Sequence, residues 1–218
     1  MRNIPILMLL LLCGAQAFYS QDATGDVKVK NGWDYYSEGN YRKSLEALQT
    51  EKRYFPDRVN IYVISGWNYR ELKEFNNMEA TSLEGLKYQP TDSRLHRNLG
   101  EAYYYQNKFI DAVRAFETYL KYKYQPKNDA YLPTVYYYLG VCYLNLKQYR
   151  KADICFSYSK YYTPNNSQTI LFLAECKENL AEYDKAYKFY EESLRIKPNN
   201  TKGLEGLNRL KNKITKAN

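Results

Sequence analysis

The chain has 218 residues, a net charge of +8, 17% aromatic residues with 26 tyrosines among them, four cysteines and one histidine. That length is one domain, and the aromatic content excludes a disordered chain in spite of a negative mean hydropathy. One histidine excludes a His-rich metal site, a Ser-His-Asp triad would rest wholly on His96, and neither a G-x-S-x-G elbow nor a Gly-rich phosphate loop is present.

The chain opens with a basic residue, Arg2, then an apolar run from Ile4 to Cys13, then Ala15-Gln16-Ala17. This pattern predicts a secretory signal peptide over residues 1–17. The run is shorter than the ~20 residues a bilayer span needs, so no transmembrane segment is expected. Leu12 stands where lipidation of Cys13 would want a small residue.

The segment from Gln21 to Lys30 opens a first repeat with weak helix propensity. From there one pattern recurs. Its glycine reads Gly32, Gly66, Gly100 and Gly140, with Ala174 fifth; a tyrosine follows three places on at Tyr35, Tyr69, Tyr103 and Tyr143, with Lys177 fifth. A buried small-residue position reads Ser44, Met78, Ala112, Ala152 and Ala186, and a terminating proline reads Pro56, Pro90, a slipped Pro126, Pro164 and Pro198. The steps between glycine positions are 34, 34, 40 and 34 residues, and an insertion at 127–132 accounts for the long one. The units are thus 25–58, 59–92, 93–126, 133–166 and 167–200. On a helical wheel, Tyr136, Leu139, Gly140 and Tyr143 share one face, as do Tyr149, Ala152, Phe156 and Ser159. Each unit therefore reads as two amphipathic helices whose apolar faces meet, with proline ending the second. Leu204, Leu207, Leu210 and Ile214 give residues 201–218 an apolar stripe suited to a capping helix.

Large–Leu–Gly–Tyr, then Ala–Phe, then Pro, at 34-residue spacing, resembles the tetratricopeptide repeat (TPR). The resemblance spans roughly residues 25–200 and implies an all-α fold, a right-handed superhelix of about five helix–turn–helix repeats. It also implies a concave groove, lined by the first helix of each unit, where protein or peptide partners bind. The groove candidates are Trp33, Tyr36, Val63, Trp67, Arg70, Arg94, Arg97, Tyr104, Tyr105, Tyr137 and Leu144. Trp, Tyr and Arg are the residue types that dominate binding hot spots. Where TPR domains that hold chaperone C-termini carry Lys and Asn, this chain has Val29 and Trp33, which argues against that role.

Basic residues are scattered among the repeats rather than gathered in one stripe, so no nucleic-acid partner is expected. Cys142, Cys155 and Cys176 read as small buried residues. Cys142 and Cys176 fall one repeat apart, and packed helices sit 8–10 Å apart, beyond the ~7 Å a disulfide tolerates; the odd count leaves a single bridge or an intermolecular one open. The expected function is a non-enzymatic interaction scaffold, exported to the periplasm or the inner face of an outer membrane as an adaptor in an envelope complex, with no cofactor. The alternatives are a self-assembling structural repeat and an enzyme built on carboxylates such as Glu101 near Glu71.

Overall fold

The computed structural model describes residues 19–21, 27–123 and 130–217, with side chains for 30–123 and 130–211. The signal-peptide expectation and residues 127–129 of the insertion lie outside that range. Eleven helices follow one another among the described residues: α1 (Gly32–Ser37), α2 (Tyr41–Tyr54), α3 (Val59–Glu71), α4 (Phe75–Tyr88), α5 (Ser93–Tyr105), α6 (Phe109–Tyr122), α7 (Leu132–Asn145), α8 (Tyr149–Tyr162), α9 (Ser167–Asn179), α10 (Tyr183–Ile196) and α11 (Thr201–Ala217). The odd-numbered helices α1 to α9 are the first helices of five units, and α2 to α10 the second. The architecture is the expected helical solenoid.

The N-terminal edge departs from expectation. Gln21 to Lys30 does not begin the first helix. Instead β1 (Tyr19–Gln21) and β2 (Val27–Val29) pair antiparallel, with Tyr19 opposite Val29. Two β-branched residues around Lys28 favour an extended chain, and Asn31 then starts the helix. Its side chain takes the Asp34 N–H while the Asp34 carboxylate takes the Asn31 N–H, each at 3.0 Å, a reciprocal cap. So α1 has only six residues.

Each first helix ends the same way. One residue adopts the left-handed conformation: Gly39, Lys73, Asn107, Lys147 and Ala181, with φ between 57° and 76°. The next residue reaches back five, from Glu74 N–H to the Tyr69 carbonyl at 2.8 Å and from Gln148 N–H to the Tyr143 carbonyl at 2.8 Å. This satisfies carbonyls the helix end leaves open. The repeated tyrosine position is therefore also the acceptor of the turn.

The glycine positions admit the large side chain sixteen residues on. A Cβ at Gly140 would lie 2.5 Å from the Phe156 ring, and one at Gly100 2.6 Å from the Phe116 ring. Unit two lacks that large residue, having Ser82, and Asn98 of the next unit fills the gap beside Gly66. It donates to the Val63 carbonyl at 3.1 Å. Unit five has Ala174 in place of glycine. There the Tyr190 ring turns outward onto the capping helix, where a Cβ at Gly206 would meet it at 2.3 Å. The cap consequently packs through Gly203, Gly206 and Leu210, while Leu204 is exposed rather than part of the expected stripe.

Ser44, Met78, Ala112, Ala152 and Ala186 are all buried, and the three cysteines are buried and free. Burial pushes all three thiols up to about 12. His96 repeats the task of Tyr62 one unit earlier: its Nε2 lies 2.8 Å from the Pro90 carbonyl, as the Tyr62 hydroxyl donates to that of Pro56 at 2.5 Å. The last residue of the insertion, Leu132, is buried as the first residue of α7.

Candidate functional site: the first-helix face

Nine of the eleven candidate residues fall into three groups. Trp33 and Tyr36 on α1 and Trp67 on α3 form a three-ring cluster, with centroids 6.1 Å apart for the two indoles and 5.7 Å from Tyr36 to each. Helix spacing alone predicts about 10 Å between the tryptophans. The long side chains lean together and close that gap. Trp33 stays 49% exposed, and Trp67 is half-buried.

Beneath Trp67 lies the second group. Arg97 on α5 is fully buried. Its guanidinium lies 3.5 Å from the centre of the Tyr131 ring and 5.8 Å from that of Trp67. A cation over aromatic faces is stabilised by their quadrupoles, more so once desolvated. Glu101, one turn along α5 and also buried, sits 3.6 Å from Arg97 Nε and 3.5 Å from the Arg70 guanidinium. Arg70 in turn holds Glu71 with two hydrogen bonds, at 2.8 and 3.1 Å. Burial pushes the Glu101 carboxyl up, against the pull of Arg97 and Arg70. Burial pulls Arg70 down, but Glu101 and Glu71 outweigh it and hold it firmly cationic. The two carboxylates weighed for catalysis are thus engaged by arginines. Two buried donors in this group, Trp67 Nε1 and Arg97 Nε, have no hydrogen-bond acceptor. Buried N–H groups rarely stay unpaired.

The third group is a tyrosine layer on α5 and α7. Tyr104 packs on Tyr138 at 4.4 Å, and Tyr105 stacks on Phe75 at 4.4 Å while its hydroxyl meets that of Tyr138 at 3.0 Å. Burial lifts the Tyr104 hydroxyl to about 12. Tyr137 is half-buried against Phe172 and Phe156, and Leu144 is half-buried on the same central cluster.

Two candidates do not belong to the open face. Val63 is fully buried with Leu48, Ile61, Tyr62 and Leu95, and Arg97 is covered as above. Both occupy the repeat position that turns toward the neighbouring first helix rather than outward. Arg94 is exposed but already bonded: it reaches Asp92 at 2.7 Å and Asn60 at 2.8 Å, tying unit three to unit two. Tyr131 and Tyr138 were not among the candidates, and Glu101 was weighed only as a carboxylate near Glu71, not as a clasp between Arg70 and Arg97. Tyr131 has no place in the 34-residue pattern, and no spacing argument could have found it.

Family models for the tetratricopeptide repeat match residues 97–152 and 167–200. No curated protein matches the sequence. Solved structures share the fold at low identity. A crystal structure of MamA aligns with a TM-score of 0.67 at 16% identity, covering 80% of this chain and 99% of that one. YrrB, described as a TPR protein with an unusual peptide-binding site, aligns at 0.64 and 16% over 76% of this chain and 91% of its own. A chain of the APC/C hetero-tetramer Cut9–Hcn1 aligns at 0.66 and 20% over 82% of this chain and 35% of that one.

Proposed function

We propose that this tetratricopeptide-repeat chain is a non-enzymatic protein–protein interaction scaffold that takes an extended peptide along its first-helix face, as an exported adaptor in a bacterial envelope. One observation carries the reading. Trp33, Tyr36 and Trp67 form a half-open platform of rings on the first-helix face, with Trp33 49% exposed. Rings bury a partner's apolar side chains at low entropic cost, so a segment carrying an apolar residue fits the platform. YrrB lends the reading support, since a protein of the same fold is described by its peptide-binding site.

Selection of displayed random peptides on the full chain tests the groove. Enriched sequences should share an apolar residue and should lose about tenfold or more in affinity for Trp33→Ala, as a hot-spot truncation does. Peptides that bind Trp33→Ala as well as the parent would remove the groove from the proposal. Export is tested separately. Mass spectrometry of protein from the native host should find an N-terminus between Phe18 and Asp22, whereas an intact Met1 terminus would refute export.

A further inference from the structure

Residue runs 52–55, 86–89, 120–123, 160–163 and 194–197 end the five second helices. Together they hold eight basic residues and no acidic one. The whole chain is +8, so everything else sums to zero. Charge that is scattered along the sequence is gathered by the solenoid onto one edge, because equal repeat positions fall in line. The other 24 basic residues are scattered among the repeats as expected, and the 24 acidic ones balance them.

Rings accompany the charge. Tyr54 is 65% and Tyr161 78% exposed, and Tyr88, Tyr122 and Tyr162 are exposed at equivalent places. Lys52 and Lys160 are paired with Glu84 and Glu192 of the next unit. Arg53, Lys87 and Arg195 are exposed, and Lys121 lies 5.2 Å from the Tyr122 ring. Basic residues in a last turn complement the helix dipole. That accounts for cations at this edge but not for a partly exposed tyrosine beside most of them.

The partner must be anionic, and the rings narrow it. Tyr88, Tyr122 and Tyr162 each have a ring face occupied, by Tyr62, His96 and Tyr136 at 5.6, 6.1 and 6.5 Å. A base-stacking platform needs open faces, so single-stranded nucleic acid fits poorly. Tyrosine tips beside Lys and Arg are the composition that settles at lipid headgroups, and anionic headgroups supply the matching charge. No described helix is long and apolar enough to cross a membrane, so such a contact is with the surface. We propose that this edge docks the protein peripherally on an anionic lipid surface, leaving the first-helix face open.

Co-sedimentation of the full chain with vesicles tests this. Binding is expected to phosphatidylcholine vesicles containing phosphatidylglycerol and not to phosphatidylcholine alone. It should vanish near 1 M salt, where the Debye length is about 3 Å. Lys87→Gln with Lys121→Gln should weaken partition about 25-fold, since each cation near the surface contributes roughly fivefold. Arg53→Gln with Arg195→Gln repeats the test at the two ends of the edge. Lys73→Asn with Lys147→Asn removes equal charge from the opposite edge, at turns where asparagine suits the positive φ, and should change partition less than about twofold. Equal loss in that control, equal binding to neutral vesicles, or no binding would overturn the proposal. So would oligonucleotide binding that the Lys87/Lys121 pair weakens more than it weakens vesicle binding, which would give the edge to nucleic acid instead.

Discussion

Replacing Gly140 by Ala adds one methyl at the tightest joint of unit four. The new Cβ would stand 2.5, 2.7 and 2.8 Å from three atoms of the Phe156 ring, where carbon atoms rest at about 3.5–4.0 Å. The ring must therefore retreat by about 1 Å. It has nowhere to go: Phe156 is fully buried, with Phe172 stacked at 5.2 Å and Tyr137 at 6.2 Å. Overpacking of this kind costs about 1–3 kcal/mol. In an open mid-helix site the same change would gain about 0.5–1 kcal/mol from propensity. The net is a loss of about 1–2 kcal/mol, and Gly140→Leu should lose more. Urea titration followed by far-ultraviolet circular dichroism reads it as a lower midpoint at unchanged slope. A second change, Phe156→Leu, should make the glycine substitution cheaper, so the double-mutant cycle should show coupling of at least ~0.5 kcal/mol. A Gly140→Ala protein as stable as the parent, or more so, would refute the assigned pairing of glycine and ring.

Three further outcomes are expected. Trp33→Ala should leave the denaturation midpoint within about 0.5 kcal/mol of the parent, because the ring is half exposed; Trp67→Ala uncovers the buried Arg97 and should cost about 2 kcal/mol or more in the same titration. Ala181→Gly should stabilise by about 0.5 kcal/mol in a thermal melt, since left-handed backbone at φ 59° costs alanine about 1–2 kcal/mol and glycine's looser unfolded chain returns part of that. Cys142, Cys155 and Cys176 should resist a thiol reagent until the protein unfolds. Their thiols rise from 9.0 to about 12 on folding, so their contribution is intact below pH ~9 and is lost as pH climbs from 9 toward 12, where only the unfolded chain ionises.

What the sequence showed was whatever lies inside one repeat. Gly140 and Phe156 are sixteen positions apart in a unit that recurs, so their meeting follows from the period alone. Ala174 in the glycine slot was a visible irregularity, yet its cause, the turn of Tyr190 to Gly206, crosses into a helix with no repeat pattern. The start of α1 was misjudged because a reciprocal cap at Asn31 and Asp34 outweighs a register extrapolated from longer helices. Val63 and Arg97 were placed on the open face by a wheel that ignores the neighbouring unit, and only stacking covers them. The bond from Arg94 to Asn60 spans thirty-four residues, and no local pattern encodes it. Charge balance was legible as a total, but its location needed the helices to be set side by side.

The outward turn of Tyr190 bears on how such a chain can grow by duplication. In units three and four the anchoring ring closes on a glycine of its own unit, so a copy of unit four brings both halves of that joint with it. A copy inserted between units four and five would keep that joint, with unit four before it and unit five after it. Unit five is different, because its ring needs Gly206, which lies beyond the unit boundary. A copy placed after unit five would separate Tyr190 from Gly206 and set it against a first helix whose glycine, Gly140 in unit four, already receives that unit's own Phe156. Lengthening of this array is therefore expected from within, with unit five and α11 inherited together as one indivisible end.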